Sequence, residues 1–372
     1  MTDTAPPTPR TPTPGARERE VLERIDRARR ARARVREERI TLAHGAGGKA
    51  TQTLIEAIFL EQFRSPELEP LDDAARLSVG DTRIAMTTDS YVVSPIFFPG
   101  GDIGDLAVNG TVNDLAVNGA IPLFLSVGMI LEEGFPVADL ERVAASIRRA
   151  ADAAGVRVVT GDTKVVQRGK ADGVYVNTAG VGLLRDPAPP GVAGARPGDA
   201  VLVSGPVGDH GVTVMLARGE LDISTDLVSD TAPLHEVTAA LLDALPPGGV
   251  RAMRDATRGG VATILNEIAR AANVAVIVAE DAVPVRPEVR GASEILGIDP
   301  LYVACEGRFV AVVDGALASD ALDALHAHPL GARAAVIGHV TADPPGMVLL
   351  NTAFGGTRVV DLLVGDPLPR IC

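Results

Sequence analysis

The chain contains no run of 18 apolar residues and no apolar signal-peptide core near its start, so the sequence reads as neither membrane-spanning nor secreted. Cysteine is nearly absent: Cys305 and Cys372 are the only two. That excludes a disulfide framework and a four-ligand zinc site, and it suits a reducing, cytoplasmic setting. Aromatic residues make up 3% of the chain while 46% is hydrophobic, so Val, Ala, Leu and Ile must build the core, as in layered α/β folds. Positive charge is in deficit. The net charge of −13 argues against nucleic acid and anionic membrane as partners. A P-loop is missing too: the Gly-rich stretch ending in Lys49 has Ala43 and Ala50 where that motif demands Gly and Ser or Thr.

At 372 residues the chain has room for two domains. Residues 1–15 are rich in Pro and Thr, and 16–39 in Arg and Glu with a thin apolar stripe. This extension reads as disordered or loosely helical. It carries eleven Arg and seven acidic residues, a net of +4 that leaves −17 for the remainder. A run of prolines and glycines between 186 and 199 marks a boundary, giving an N-terminal nucleotide-binding domain over 40–185 and a second domain over 186–364. Residues 365–372 read as a mobile tail. Two prolines in Pro367-Leu368-Pro369-Arg370-Ile371-Cys372 hold that tail extended and keep it out of a central strand. A thiol on a narrow tail can be inserted into a pocket, chemically changed and withdrawn.

From Ile40 the pattern is that of an α/β body. His44-Gly45-Ala46-Gly47-Gly48-Lys49 is a Gly-rich loop before a helical spacing over 51–63. Its glycines allow backbone N–H groups to approach an anion, and the lysine favours phosphate; a plain connector reads equally well. Strands are expected at 82–88, 123–130, 156–160 and 174–182, with helices over 102–118 and 137–154. The strand at 156–160 is expected to end in Gly161-Asp162-Thr163-Lys164. In the second half, strands are expected at 200–204, 274–279, 301–305, 308–313, 334–340 and 357–362, and helices at 232–245, 260–272, 288–296 and 316–327. Cys305-Glu306-Gly307-Arg308 reads as a turn between two apolar strands. Acids recur at strand ends or on a helix facing them: Asp73, Asp89, Asp114 and Asp162. Ligand sites in α/β folds gather at such ends, and clustered carboxylates repel unless cations lie between them, with Mg²⁺ bridging to a nucleotide as the natural occupant.

The stretches AHGAGGK (43–49), TTDSYVVSPIFFPGGDIG (87–104), NDLAVNGAIP (113–122), TGDTKVVQRG (160–169), LVSGPVGDHG (202–211), RDATRGG (254–260), EGR (306–308) and the terminal PLPRIC together resemble the HypE family of hydrogenase maturation factors. That family belongs to the superfamily of aminoimidazole ribonucleotide synthetase, selenophosphate synthetase and thiamine-monophosphate kinase. The resemblance covers residues 40–372. It implies two α/β (α+β) domains, with the N-terminal domains of a homodimer pairing into a β-barrel. It also implies ATP and Mg²⁺ as cofactors. A partner of the HypF kind would load a carbamoyl group onto Cys372. Dehydration would convert the thiocarboxamide to a thiocyanate, and the cyano group would pass to iron held by HypC and HypD, as a ligand of nickel–iron hydrogenase. On this reading Asp73, Asp89, Asp114 and Asp255 serve metal and phosphate, and Gly47, Gly48, Lys49, Asn113, Asp162 and Thr163 the nucleotide. Lys164 stabilises charge on the transferred phosphoryl group, Glu306 is the base, and His44 attends the phosphates or the transferred group. A selenophosphate synthetase would need a Cys or selenocysteine in the Gly-rich loop, which has none, and a thiamine-monophosphate kinase needs no terminal cysteine. A nonenzymatic carrier of a thiol-bound group stays open.

Because residues 1–39 lie outside that resemblance, a chain beginning near Arg39 is expected to keep its melting temperature and its ATP-dependent activity. Thermal denaturation beside a turnover assay checks this.

Overall fold

The computed structural model describes residues 34–35, 37–219, 225–365 and 369–372. The expectation for residues 1–39 therefore falls almost wholly outside the described residues, as do Pro367 and Leu368 of the tail. The Gly-rich loop opens a helical run over 49–63 (α1). β1 (Ala75–Val79) and β2 (Thr82–Tyr91) form a hairpin closed by Gly80 and Asp81, with Gly80 at φ +60°. β3 (Phe97–Phe98) and β4 (Gly101–Asp102) form a second, short hairpin. Then come α2 (Ile103–Val117), β5 (Ala120–Glu132), α3 (Val137–Ala153), β6 (Arg157–Val166) and β7 (Val174–Leu184). The main sheet of this lobe runs β1-β2-β7-β5-β6, antiparallel except where α3 links the parallel pair β5 and β6. It is open, with no closed barrel among the described residues of the single chain.

The second lobe comprises β8 (Ala200–Val203), α4 (Asp209–Ala217), α5 (His235–Ala244), β9 (Val250–Asp255), α6 (Gly260–Ala271), β10 (Ala275–Ala279), α7 (Pro287–Leu296), β11 (Phe309–Val313), α8 (Ala318–His326), β12 (Ala335–Thr341), β13 (Met347–Asn351) and β14 (Thr357–Val360). Its sheet runs β14-β13-β10-β12-β8-β11-β9. Alternation divides β8 between two cores: Val201 and Val203 pack toward α6, whereas Ala200 and Leu202 pack toward α5 and α8. A strand covered on both faces reads as a continuous apolar run, as this one does. No helix among the described residues is long and apolar enough to cross a membrane.

α2 joins the lobes. Asp102 caps it, accepting from the Gly104 and Asp105 backbone N–H groups while the Asp105 carboxylate accepts the Asp102 N–H. All of its residues except Asp105 and Asp114 are buried, because it packs on β2, β7 and β5 on one side and on α5 and β9 on the other. A helix apolar on every side belongs in such a position.

Two sequence expectations are corrected. Residues 301–305 form no strand. Asp299 accepts from Leu301 N at 2.9 Å and Pro300 opens a 3₁₀ turn over Pro300–Tyr302, after which Cys305 N donates to Ala256 O and Ala304 O accepts from Gly211 N. The run is apolar because it is buried, not because it is laddered. Glu306 thus lies on a bend that leads into β11, with no strand directly before it. The second correction concerns β6. It does not stop at Thr160 but continues past Lys164 to Val166, paired with β5 throughout, so Asp162, Thr163 and Lys164 lie within a strand rather than beyond its end.

Gly307 is where this packing is tightest: a Cβ there would run into the Asp230 carbonyl. Gly307→Ala is therefore expected to destabilise the protein by about 1–3 kcal/mol, read as a fall in melting temperature.

Candidate active site

Four acidic residues that lie far apart in sequence meet at the junction of the lobes. Asp89 sits on the helix-facing side of β2, Asp114 at the end of α2, Asp73 just before β1, and Asp255 at the end of β9. One carboxylate oxygen from each of Asp73, Asp114 and Asp255 lies within 4.8 Å of the others. Thr87 donates to Asp114 Oδ2 at 2.6 Å and Tyr91 donates to Asp89 Oδ2 at 3.1 Å. Burial, opposed by Arg254 but reinforced by neighbouring acids, pushes Asp73 up to about 7. Burial and then mutual repulsion push Asp114 and Asp255 well above the usual carboxylate range, and burial raises Asp89. Arg254 Nε contacts Asp73 at 2.8 Å and Glu267 at 3.1 Å, so the cluster has one fixed counter-charge. Asp255 Oδ2 is buried with no hydrogen-bond partner among the described residues. Three converging hard oxygens, one of them unsatisfied, fit a divalent cation such as Mg²⁺.

Glu306 and Cys372 lie beside this cluster. Asp230 Oδ1 accepts the Glu306 N–H at 2.9 Å, and Asn113 Nδ2 donates to the Glu306 carbonyl at 3.2 Å. Burial, then Asp230 and Asp89, push the Glu306 carboxyl up to about 8. Its Oε1 has no hydrogen-bond partner among the described residues. The Cys372 thiol lies close enough to this carboxyl for each group to shift the proton affinity of the other. Burial pushes the Cys372 thiol up to about 12; Arg258 works against that shift, and Glu306 and Asp89 add to it. The tail's end is thus docked in this structure, with Ile371 2% and Cys372 5% exposed. Val92 N donates to Cys372 O and Ser94 N to Arg370 O, each at 3.1 Å.

The structure does not gather every residue named from the sequence. Gly47, at φ +72°, and Gly48 allow close backbone packing: a Cβ would meet Arg258 O at 2.6 Å and Leu363 O at 2.5 Å respectively. Lys49 is exposed and its N–H donates to Leu363 O. His44 is buried, with Nδ1 taking the Thr41 N–H at 3.1 Å and Nε2 3.8 Å from Glu37. Asn113 spends its whole amide on backbone, donating to Ala232 O and Glu306 O and accepting from Leu234 N. Asp162 and Lys164 pair with each other, 70% and 67% exposed. They align with Gly128 and Ile130, on the sheet face turned away from the helices. β6 is three strands from β2, about 14 Å at normal strand spacing. Within one chain, Lys164 and Thr163 therefore stand apart from the carboxylates. Arg258 and His210 were not singled out from sequence, although both fall in the motifs quoted above. Arg258, in a glycine-flanked loop, is the cation facing Cys372. Cys305 is not on a strand; its Sγ accepts the Gly208 N–H at 3.2 Å in the core, and burial raises its thiol well above the usual range.

Residues 71–184 match the family model of the AIR synthase related protein N-terminal domain, and residues 196–350 that of the C-terminal domain. The chain is 54% identical over 336 residues to a carbamoyl dehydratase HypE of Rhizobium leguminosarum bv. viciae, covering 90% of this chain and 95% of that one. A crystal structure of HypE in complex with ATP superposes with a TM-score of 0.75 at 48% identity, over 90% of this chain and 100% of the other. A HypE–HypF complex gives 0.79 at 44% identity, over 83% and 99%.

Asp255→Asn removes one charged ligand from the three. Mn²⁺ binding, followed by electron paramagnetic resonance, is expected to weaken by about 10–100-fold or more, the range already seen for losing outer support of a site. The melting temperature without metal should hold or rise, since a buried like charge is gone.

Proposed function

This chain belongs to the carbamoyl dehydratase HypE family of AIR synthase related proteins, and on that premise we propose that it dehydrates a carbamoyl group carried on Cys372. The thiocarboxamide becomes a thiocyanate while ATP becomes ADP and phosphate, and the product serves the cyanide ligands of nickel–iron hydrogenase. The observation that carries this reading is the inward Cys372 thiol on the Glu306 carboxyl, beside the three-carboxylate cluster.

The chemistry explains why these groups belong together. An amide oxygen is a poor leaving group. Transfer of the γ-phosphoryl group of ATP onto it makes a good one, and loss of both nitrogen protons then expels phosphate and leaves a nitrile on sulfur. Glu306 stands beside the sulfur to take a nitrogen proton, and its raised pKa makes it a stronger base once ionised. Arg258 holds positive charge over the reacting end of the tail. Asp73, Asp114 and Asp255 would hold Mg²⁺, which supplies neutralisation of phosphate charge when bound. The inserted tail buries the reacting atoms and keeps out water, which would hydrate a nitrile.

Lys164 enters this scheme through a second copy. The helix-free face of the first sheet exposes Met86, Ile121, Ile130 and Leu183, and pairing of two such faces in a homodimer would close a barrel and carry Asp162, Thr163 and Lys164 toward the neighbouring site. Gly47, Gly48, Lys49 and His44 would edge the nucleotide phosphates, and Asn113 would keep Glu306 in place. Loading of Cys372 would fall to a HypF-type carbamoyltransferase, and delivery of the cyano group to an iron-carrying HypC–HypD complex.

Mass spectrometry of the C-terminal peptide tests the reading: a carbamoyl adduct on Cys372 should lose the mass of one water when ATP is added. Cys372→Ala should accept no carbamoyl group. Glu306→Gln should slow dehydration by about 10²-fold or more while still binding ATP, and Lys164→Ala should slow it too. Since a carboxyl at about 8 is half ionised at that pH and fully ionised only above it, the wild-type dehydration rate should climb as pH rises through about 8 and level roughly one pH unit higher. A carrier without activity of its own would show no ATP-dependent water loss.

A further inference from the structure

The tail lies between the lobes, and it turns at Arg370, which has φ +58°. Residues 370 and 372 turn their carbonyls to Ser94 and Val92 of the first lobe, at 3.1 Å each. Ile371, between them, presents its carbonyl to the second lobe. There His210, in the first turn of α4, waits with Nε2 2.9 Å from Ile371 O. The ring is fully buried and stands edge-on to Phe98, centroids 5.5 Å apart at 83°. Its Nδ1 lies 2.8 Å from Ser229 Oγ. Ile371 O can only accept, so Nε2 carries the ring proton; Nδ1 of the neutral ring is then an acceptor and takes the proton of the Ser229 hydroxyl, which itself accepts the Thr231 N–H at 3.1 Å. Burial keeps the ring neutral, with its pKa lowered to about 4. At the far end of the same helix, Arg218 donates to Arg370 O at 3.0 Å and to Pro369 O. α4 is thus a rail along the tail, and it grips main chain only.

We propose that His210, oriented by Ser229, is the positioning residue that latches the tail inward by donating Nε2–H to the Ile371 carbonyl, so that dehydration of the loaded tail depends on it. This rests on the tail-insertion reading above. His210 touches neither the thiol nor any reacting atom; it acts through Ile371 on where Cys372 stands.

The latch is read by alkylation of Cys372 with iodoacetamide in the full chain, followed by peptide mass spectrometry, because the docked thiol is both buried and un-ionised. His210→Leu is expected to alkylate about five- to tenfold faster, the effect of losing one buried neutral hydrogen bond, and to dehydrate a preloaded carbamoyl group correspondingly more slowly. His210→Gln, whose amide places an N–H near the same point, should restore both. Wild-type Cys372 reacting as fast as a free peptide ending Pro-Arg-Ile-Cys would overturn tail docking itself. Wild-type protection with equal protection in a folded His210→Leu, or a His210→Gln as unprotected as His210→Leu, would overturn the latch alone. Should His210→Leu not fold, Ser229→Ala keeps the ring and removes its orienting partner: faster alkylation supports the latch, and an unchanged rate overturns it.

Discussion

One amide holds the two lobes in register. Asn113 uses both donors and its acceptor on the backbone of the second lobe, at Ala232, Leu234 and Glu306. Each such bond is worth only about 1 kcal/mol net, but they are buried and share one side chain, so losing the side chain orphans three backbone groups at once. The next residue along α2 is Asp114. Fixing Asn113 against the second lobe thus helps to set Asp114 against Asp255, and the bonds of Arg254 to Asp73 and to Leu71 O set Asp73 in the same way. Like charges would not gather there unaided; the fold forces them together, and the strain appears as carboxyl groups whose proton affinity is raised.

The same contact explains what could and could not be read from sequence. The recurrence of acids near strand ends pointed to Asp73, Asp89, Asp114 and Asp162, and the family resemblance added Asp255; the structure brings Asp73, Asp114 and Asp255 within reach of one ion, because strand ends in a layered fold converge. The rest depended on quantities that no local pattern carries. Whether β6 stops at Thr160 or runs to Val166 is decided by its pairing with β5, and that decides which face Lys164 takes. Residues 301–305 look like a strand because burial and β-branching imitate one, while Asp299 and Pro300 set a turn. α4 was missed because a helix buried between lobes has no polar face to mark its period, and His210 was passed over with it. Asn113 was assigned to nucleotide on its place in a motif; its partners lie 119 to 193 residues away and become visible only when the lobes close.

The last residues of the tail are held chiefly through their main chain. Ile371 supplies the apolar anchor, and the directed bonds run from Val92, Ser94, His210 and Arg218 to carbonyls of residues 369–372. Main-chain recognition of this kind resembles the addition of a short strand to a groove. The Arg370 side chain adds to these bonds, pairing with Asp172 and donating to Val92 O at 3.4 Å.

Burial has opposite consequences for the two things asked of Cys372 in the proposed reaction. A thiol must ionise to attack a carbamoyl donor, and inside the site the thiol is pushed up to about 12, so the docked cysteine is a poor nucleophile. Loading therefore belongs to the undocked tail, where water supports the thiolate. Dehydration needs the reverse environment. Once the sulfur carries a carbamoyl group, no thiolate is required, and the low dielectric that suppressed ionisation now strengthens the pull of Arg258 and the basicity of Glu306 on the same few atoms. Neither location serves both steps. In the proposed reaction the tail must therefore move for reasons that lie in the electrostatics of one sulfur atom, and the grip of α4 on the tail would govern how the sulfur is shared between its two environments.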